Sequence, residues 1–97
     1  MTLLDLRRFE EAKILLRKVA PVARRALGTE HELTLSLRED LSLATLDGES
    51  SAEEKREALR MLEDVAGIMR RVLGPAHPDT LFTQGKLKFY RRKFPGA

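Results

Sequence analysis

Arg70-Arg71-Val72-Leu73-Gly74-Pro75-Ala76-His77-Pro78-Asp79-Thr80-Leu81 (RRVLGPAHPDTL) restates a segment met earlier in the same chain, RRALGTEHELTL from Arg24 to Leu35. The offset is 46 residues (Arg24 to Arg70), and the register runs backwards without a gap through Glu11/Glu57, Ala12/Ala58, Leu16/Leu62, Val19/Val65 and Ala20/Ala66. A period of this length is that of stacked helical hairpins, in which each unit buries its apolar face on the next. The chain divides accordingly into units of about 1–28, 29–74 and 75–97, the first and last incomplete.

At 97 residues, with 42% hydrophobic and 34% charged residues, the chain has the size of one small domain and the balance of a globular rather than a disordered protein. It has no cysteine, which excludes disulfides, thiolate zinc sites and thiol nucleophiles. Asp5, Arg7 and Arg8 interrupt the apolar pair Leu3-Leu4, so the start does not read as a signal peptide. No apolar run approaches the ~20 residues that span a bilayer. A cytoplasmic location is the expectation, with a nuclear one also open. The net charge of +3 is too mild to point to a partner by itself.

Outward from the repeated segment, the periodicity predicts helices. Ala12, Leu15, Leu16, Val19, Ala20, Val22, Ala23, Ala26 and Leu27 follow the i, i+3, i+4, i+7 stripe of an amphipathic helix. Gly28 follows as a left-handed cap, and Gly74 does the same in the second copy. Pro21 predicts a kink within the first long helix, because it cannot donate to the carbonyl of Arg17. Residues 1–6 read as the stub of a preceding helix. Between Glu32 and Asp47 the leucines alternate as in a strand, yet Leu33, Leu37, Leu41 and Ala44 also form a helical stripe, and Leu35 and Leu46 add a second face. Leucine favours helix, and a helix sandwiched between two others needs two apolar faces. Ser51 with Glu54 three residues on is a capping box that opens the next helix. That helix runs to Leu73. Pro78, suited to a first helical position, starts a last helix that reaches about Arg92. The expected fold is an all-α helical-hairpin solenoid of about four helices plus the N-terminal stub.

The LGPAHPDTL segment, joined to a helix beginning with the pattern FEEA (Phe9–Ala12), resembles the tetratricopeptide repeats of kinesin light chain type. Units of that type have about 42 residues, against ~34 in the common form. The resemblance covers roughly Leu6 to Phe94. It makes Gly28, His31, Gly74, His77 and Pro78 the structural motif of the turn, and Phe9–Ala12 a turn between paired helices. The first copy departs from the pattern at Glu32 and Leu33, and about four extra residues fall around Asp47–Ala52. The inner helices of the family often carry LNNLA, with asparagines that clamp a peptide; the matching stretches, REDLS at Arg38–Ser42 and QGKLK at Gln84–Lys88, carry none. By the same register the helices Glu32–Leu46 and Asp79–Arg92 line a concave face. Ser36, Glu39, Asp40, Leu43 and Lys86 are then the residues expected to meet a protein or peptide partner.

Motifs for chemistry are sparse. His31 and His77 lack the companions of a zinc shell and read as turn residues that bond the backbone, so no metal is expected. Glu10-Glu11, Glu39-Asp40 and Glu53-Glu54 are adjacent pairs, which point about 100° apart on a helix and do not make a general acid–base pair. No phosphate loop, nucleophile elbow or Ser/His/Asp set can be assembled, so neither an enzyme nor a cofactor is expected. Lys86, Lys88, Arg91, Arg92 and Lys93, interleaved with Phe89, Tyr90 and Phe94, open an alternative: a basic adaptor gripping nucleic acid or an acidic peptide. A regulatory segment of a larger protein is a further alternative. The leading expectation is a protein–protein interaction scaffold, with self-association through the open ends of the repeat as an added possibility.

Overall fold

The computed structural model describes residues 3–94. Four helices follow one another: α1 (Leu3–Leu27), α2 (Glu32–Asp47), α3 (Ala52–Val72) and α4 (Pro78–Lys93). Each packs on the next, α1 on α2, α2 on α3 and α3 on α4, and there is no strand among the described residues. This is the all-α hairpin stack that the 46-residue register implies.

The two repeated turns have one geometry. Gly28 and Gly74 adopt φ of 94° and 102°, a left-handed conformation that a side chain would strain. His31 and His77 then sit at the N-caps of α2 and α4 with nearly the same backbone angles (φ −65°, ψ 138° and 137°). In each, Nδ1 accepts a 3.1 Å hydrogen bond from the backbone N–H two residues on, at Leu33 and at Asp79. Three residues after each histidine, a wholly buried threonine reaches back to the preceding helix. Thr34 donates to the Ala23 carbonyl and Thr80 to the Met69 carbonyl, both at 3.3 Å. Gly, His and Thr together fix how each hairpin closes, because they tie up backbone groups that a helix end leaves unpaired.

Two expectations at the N-terminus are corrected. Leu3 to Arg8 is no separate stub but the first part of α1, and the turn placed at Phe9–Ala12 is absent, because α1 runs unbroken to Leu27. The physical reason lies in the sequence: Arg7 and Arg8 precede Phe9 where a helix break would need glycine or proline, and leucine, arginine, glutamate and alanine all sustain a helix. Pro21 lies inside α1 without ending it. It is exposed, as is Arg17, so water reaches the carbonyl that Pro21 cannot serve.

The core forms around α3. Leu62 and Val65 are fully buried. One cluster joins Leu46 of α2, Leu59 and Leu62 of α3, and Leu87 and Tyr90 of α4. A second joins Leu35 of α2 to Val65, Ile68 and Met69 of α3. The ambiguous leucines of Glu32–Asp47 thus resolve as a helix packed on two sides, with Leu33 left exposed. Ser51 makes its capping box, accepting from the Glu54 N–H at 3.1 Å. The loop before it, Gly48–Ser51, is held from a distance: the Lys13 ammonium on α1, almost wholly buried, lies 3.4 Å from the Glu49 carbonyl and 3.3 Å from Ser50 Oγ.

Candidate partner-binding face

On a helix, positions three and four apart share a face. Ser36, Asp40 and Leu43 form such a line on α2, and the 46-residue offset carries them onto Phe82, Lys86 and Phe89 of α4. Ser36 and Asp40 are exposed. Leu43 is half-buried and packs on the edge of the core. Lys86 is half-buried, with its ammonium 5.6 Å from the centre of the Phe82 ring. Two turns further, Lys93 lies 5.8 Å from the Phe89 ring and 5.6 Å from the Phe94 ring. Phe82 and Phe89 are more than half exposed. An ammonium over an aromatic face is held by the ring quadrupole and still keeps N–H donors free.

Glu39 is different in kind. Its carboxylate accepts from the Thr83 hydroxyl of α4, so it joins α2 and α4 to each other. Tyr90 makes the matching link further along, donating its hydroxyl to Asp47. Burial pushes the Glu39 carboxyl above its ordinary pKa, and the neighbouring Asp40 and Asp79 push the same way against the Thr83 hydrogen bond. Burial also raises the carboxyl of Asp40, which has no such bond to oppose it. The face is therefore divided: carboxylates on α2, ammonium groups and aromatic rings on α4.

The sequence reading singled out Lys86 but not Phe82, and it grouped Phe89 with Tyr90 and Phe94 as aromatics sharing one fate. The structure separates them. Tyr90 is 1% exposed, Phe94 is half-buried and stacked parallel to Tyr90, and Phe89 points outward. Carrying the repeat offset from Ser36 to Phe82 and from Leu43 to Phe89 would have found both. The basic run also divides, since Arg91 pairs with Glu63 of α3 at 3.2 Å.

Elsewhere, Arg38 of α2 is 8% exposed and bonds Asp64 of α3 at 2.8 Å through Nη2, while its Nη1 is buried without a partner. No group of three or more metal-ligating side chains occurs among the described residues. No described helix is long and apolar enough to cross a membrane.

The family described as tetratricopeptide repeat matches the chain over residues 1–33 and 49–79, more than half its length. The chain belongs to the tetratricopeptide-repeat family. No curated protein and no solved structure gave a match. Repeats of this family are scaffolds for protein–protein interaction and are in general not enzymes. The two matched segments each end in one of the Gly–His turns, so the tetratricopeptide signature and the duplicated turn geometry mark the same boundaries.

Proposed function

We propose that this tetratricopeptide-repeat chain, of the kinesin light chain type, is a protein-interaction adaptor that seats a partner segment along the shared face of α2 and α4. The observation that carries the reading is the line Phe82, Lys86, Phe89 and Lys93: two large exposed rings alternating with two ammonium groups on one face of α4. Exposed aromatics next to cations are what interaction hot spots are made of. Ser36 and Asp40 form the opposite wall, and Asp40 offers a carboxylate to a basic residue of the partner. Glu39 acts differently from the residues around it. Its tie to Thr83 sets the spacing of α2 and α4, so its role is to hold the face in shape rather than to touch the partner.

A peptide-display selection against the folded chain tests this reading. Recovered peptides should combine acidic and apolar residues. Their affinity should fall at least tenfold with the Phe82→Ala, Phe89→Ala double variant, whose helicity should be unchanged because both rings are exposed. Peptides that bind the double variant as well as the parent would move the site elsewhere. Selection of no peptides, together with salt-sensitive binding of single-stranded nucleic acid that is lost with Lys88→Glu and Lys93→Glu, would favour the basic-adaptor alternative.

A further inference from the structure

Among the described residues, Arg38 carries the only buried side-chain nitrogen or oxygen without a hydrogen-bond partner. The residue is 8% exposed, and its Nη2 donates to Asp64 at 2.8 Å while Nη1 stays unpaired. A guanidinium held this way costs stability, because a buried N–H that has given up water needs another acceptor. The fold does not ask for that cost. Moved forward by 46 residues, Arg38 becomes Gln84, an uncharged residue in the equivalent place on α4.

Arg38 forms part of the wall of a hollow of about 270 Å³ between α1, α2 and α3, lined also by Ala20, Pro21, Arg24, Arg25 and Met61. Arg24 and Arg25 are exposed and stand at the rim, whereas Arg38 is the buried base. No carboxylate is among the lining residues. Those that tie α1 and its turn to α3 are already engaged, Glu54 by Arg17 at 2.8 Å and Glu30 by Arg71 at 2.6 Å. Arg24 and Arg25 pair with no carboxylate among the described residues.

Three guanidinium groups, one of them short of an acceptor, therefore line one hollow. Guanidinium recognises oxyanions through charge-assisted N–H···O bonds. A carboxylate has two oxygens to share, and Arg38 already has the one that Asp64 supplies. A phosphate group presents three strong acceptor oxygens, one for each arginine. Ala20, Pro21 and Met61 leave an apolar flank for the carbon chain of a phosphate ester. The repeat contains its own control. The same offset carries Ala20, Pro21 and Arg24 onto Ala66, Gly67 and Arg70, which with Gln84 line a second hollow between α3 and α4. That hollow has no buried guanidinium, and its Arg91 is bound to Glu63 at 3.2 Å.

We propose that the hollow between α1, α2 and α3 is a phosphate-binding site, with Arg38 as its buried anchor and Arg24 and Arg25 closing on the anion from the rim. The anion reaches Nη1 as the unbranched side chains of Met61, Arg24 and Arg25 swing aside. The group bound is a phosphate, either free or carried as an ester by a partner. The site shares no residue with the α2–α4 face.

The test follows arginine Nε–H and backbone amide signals by NMR as inorganic phosphate replaces chloride at constant ionic strength. Arg38 and the amides around Arg24 should shift along a saturating curve, and Gln84 and Arg70 should not. Arg38→Gln, which copies the equivalent residue of α4, and Arg38→Met should both stay folded and weaken binding about tenfold. The Arg24→Gln, Arg25→Gln double variant should also weaken it, whereas Phe82→Ala with Phe89→Ala should leave it unchanged. N-acetyl-O-phosphoserine amide is titrated in parallel. Tighter binding of this ester than of inorganic phosphate would support the site with a phosphorylated partner as its source, and weaker or equal binding would support it with the free anion. The proposal is overturned by shifts that do not saturate, or by acetate acting as strongly as phosphate. Binding that persists undiminished in both Arg38 variants, or that is equal at the second hollow, would overturn it as well.

Discussion

Helices α2 and α4 occupy equivalent places in their repeats and begin identically, yet only one is built to be covered on two sides. Both start on a histidine cap after a left-handed glycine, and both send a buried threonine back to the preceding helix. Beyond that they diverge. α2 buries Leu35, Ser42 and Leu46 against α3; α4 exposes Leu81, Lys88 and Arg92 at the same positions. The comparison separates two requirements. Closing a hairpin needs a few specific polar contacts at the turn, and these recur in both copies. Covering a helix needs apolar residues along its length, and these follow whichever neighbour is present.

The largest way to break the comparison is to truncate equivalent leucines. Leu35→Ala should cost about 2–5 kcal/mol in urea denaturation, while Leu81→Ala should cost under about 0.5 kcal/mol, as an exposed change does. Similar losses at both would mean that α4 is covered in solution by something that stays bound.

Next in size is the ion pair of α2 whose arginine is buried, Arg38 with Asp64. Asp64→Ala leaves the Arg38 guanidinium without its bonded partner and should cost about 1–3 kcal/mol; the exposure of Asp64 keeps this below the loss seen for a fully buried pair. Arg38→Met, which removes the charge and its unpaired nitrogen together, should be close to neutral. At the equivalent position α4 carries Gln84, and Gln84→Met should change stability little.

The caps should behave alike. His31→Ala and His77→Ala should each cost roughly 0.5–2 kcal/mol, and asparagine at either position should recover most of it by supplying another acceptor. A large loss at one histidine and none at the other would show that the shared turn geometry does not carry equal stability.

The smallest expected effect is a slope with pH. The Glu39 carboxyl has its pKa raised in the fold, so the folded chain holds that proton more tightly than the unfolded chain does. Its contribution is therefore complete below the ordinary carboxylate range and is lost as pH rises through the higher folded value. Glu39→Gln should flatten the part of the stability profile that lies just above the ordinary carboxylate range. If the profile of the variant matches that of the parent, the burial of Glu39 has no thermodynamic weight. α4 has Gly85 there and no counterpart to this effect.

Much of this was legible in the residues. The glycines, the histidine caps, the capping box at Ser51 and the helical reading of Glu32–Asp47 all follow from local chemistry, which a single sequence displays. What escaped it depends on partners distant in sequence. The threonine clamps and the Tyr90–Asp47 and Glu39–Thr83 links join residues whose types do not announce a bond. Leu15, Val19 and Val22 read as core because they are apolar and periodic, but periodicity tells which residues share a face, not whether a neighbour covers it. The unbroken α1 was missed for another reason: a turn was carried over from the family pattern onto residues whose own propensities favour a helix.

Lys13 brings time into this picture. Its ammonium is sequestered beneath the Gly48–Ser51 loop, while Lys18 on the same helix lies open to solvent. An amine-reactive label should therefore modify Lys18 at once and Lys13 only during the intervals when the loop lifts away. The ratio of the two labelling rates is a clock for that opening, wound into the molecule by a single buried amine.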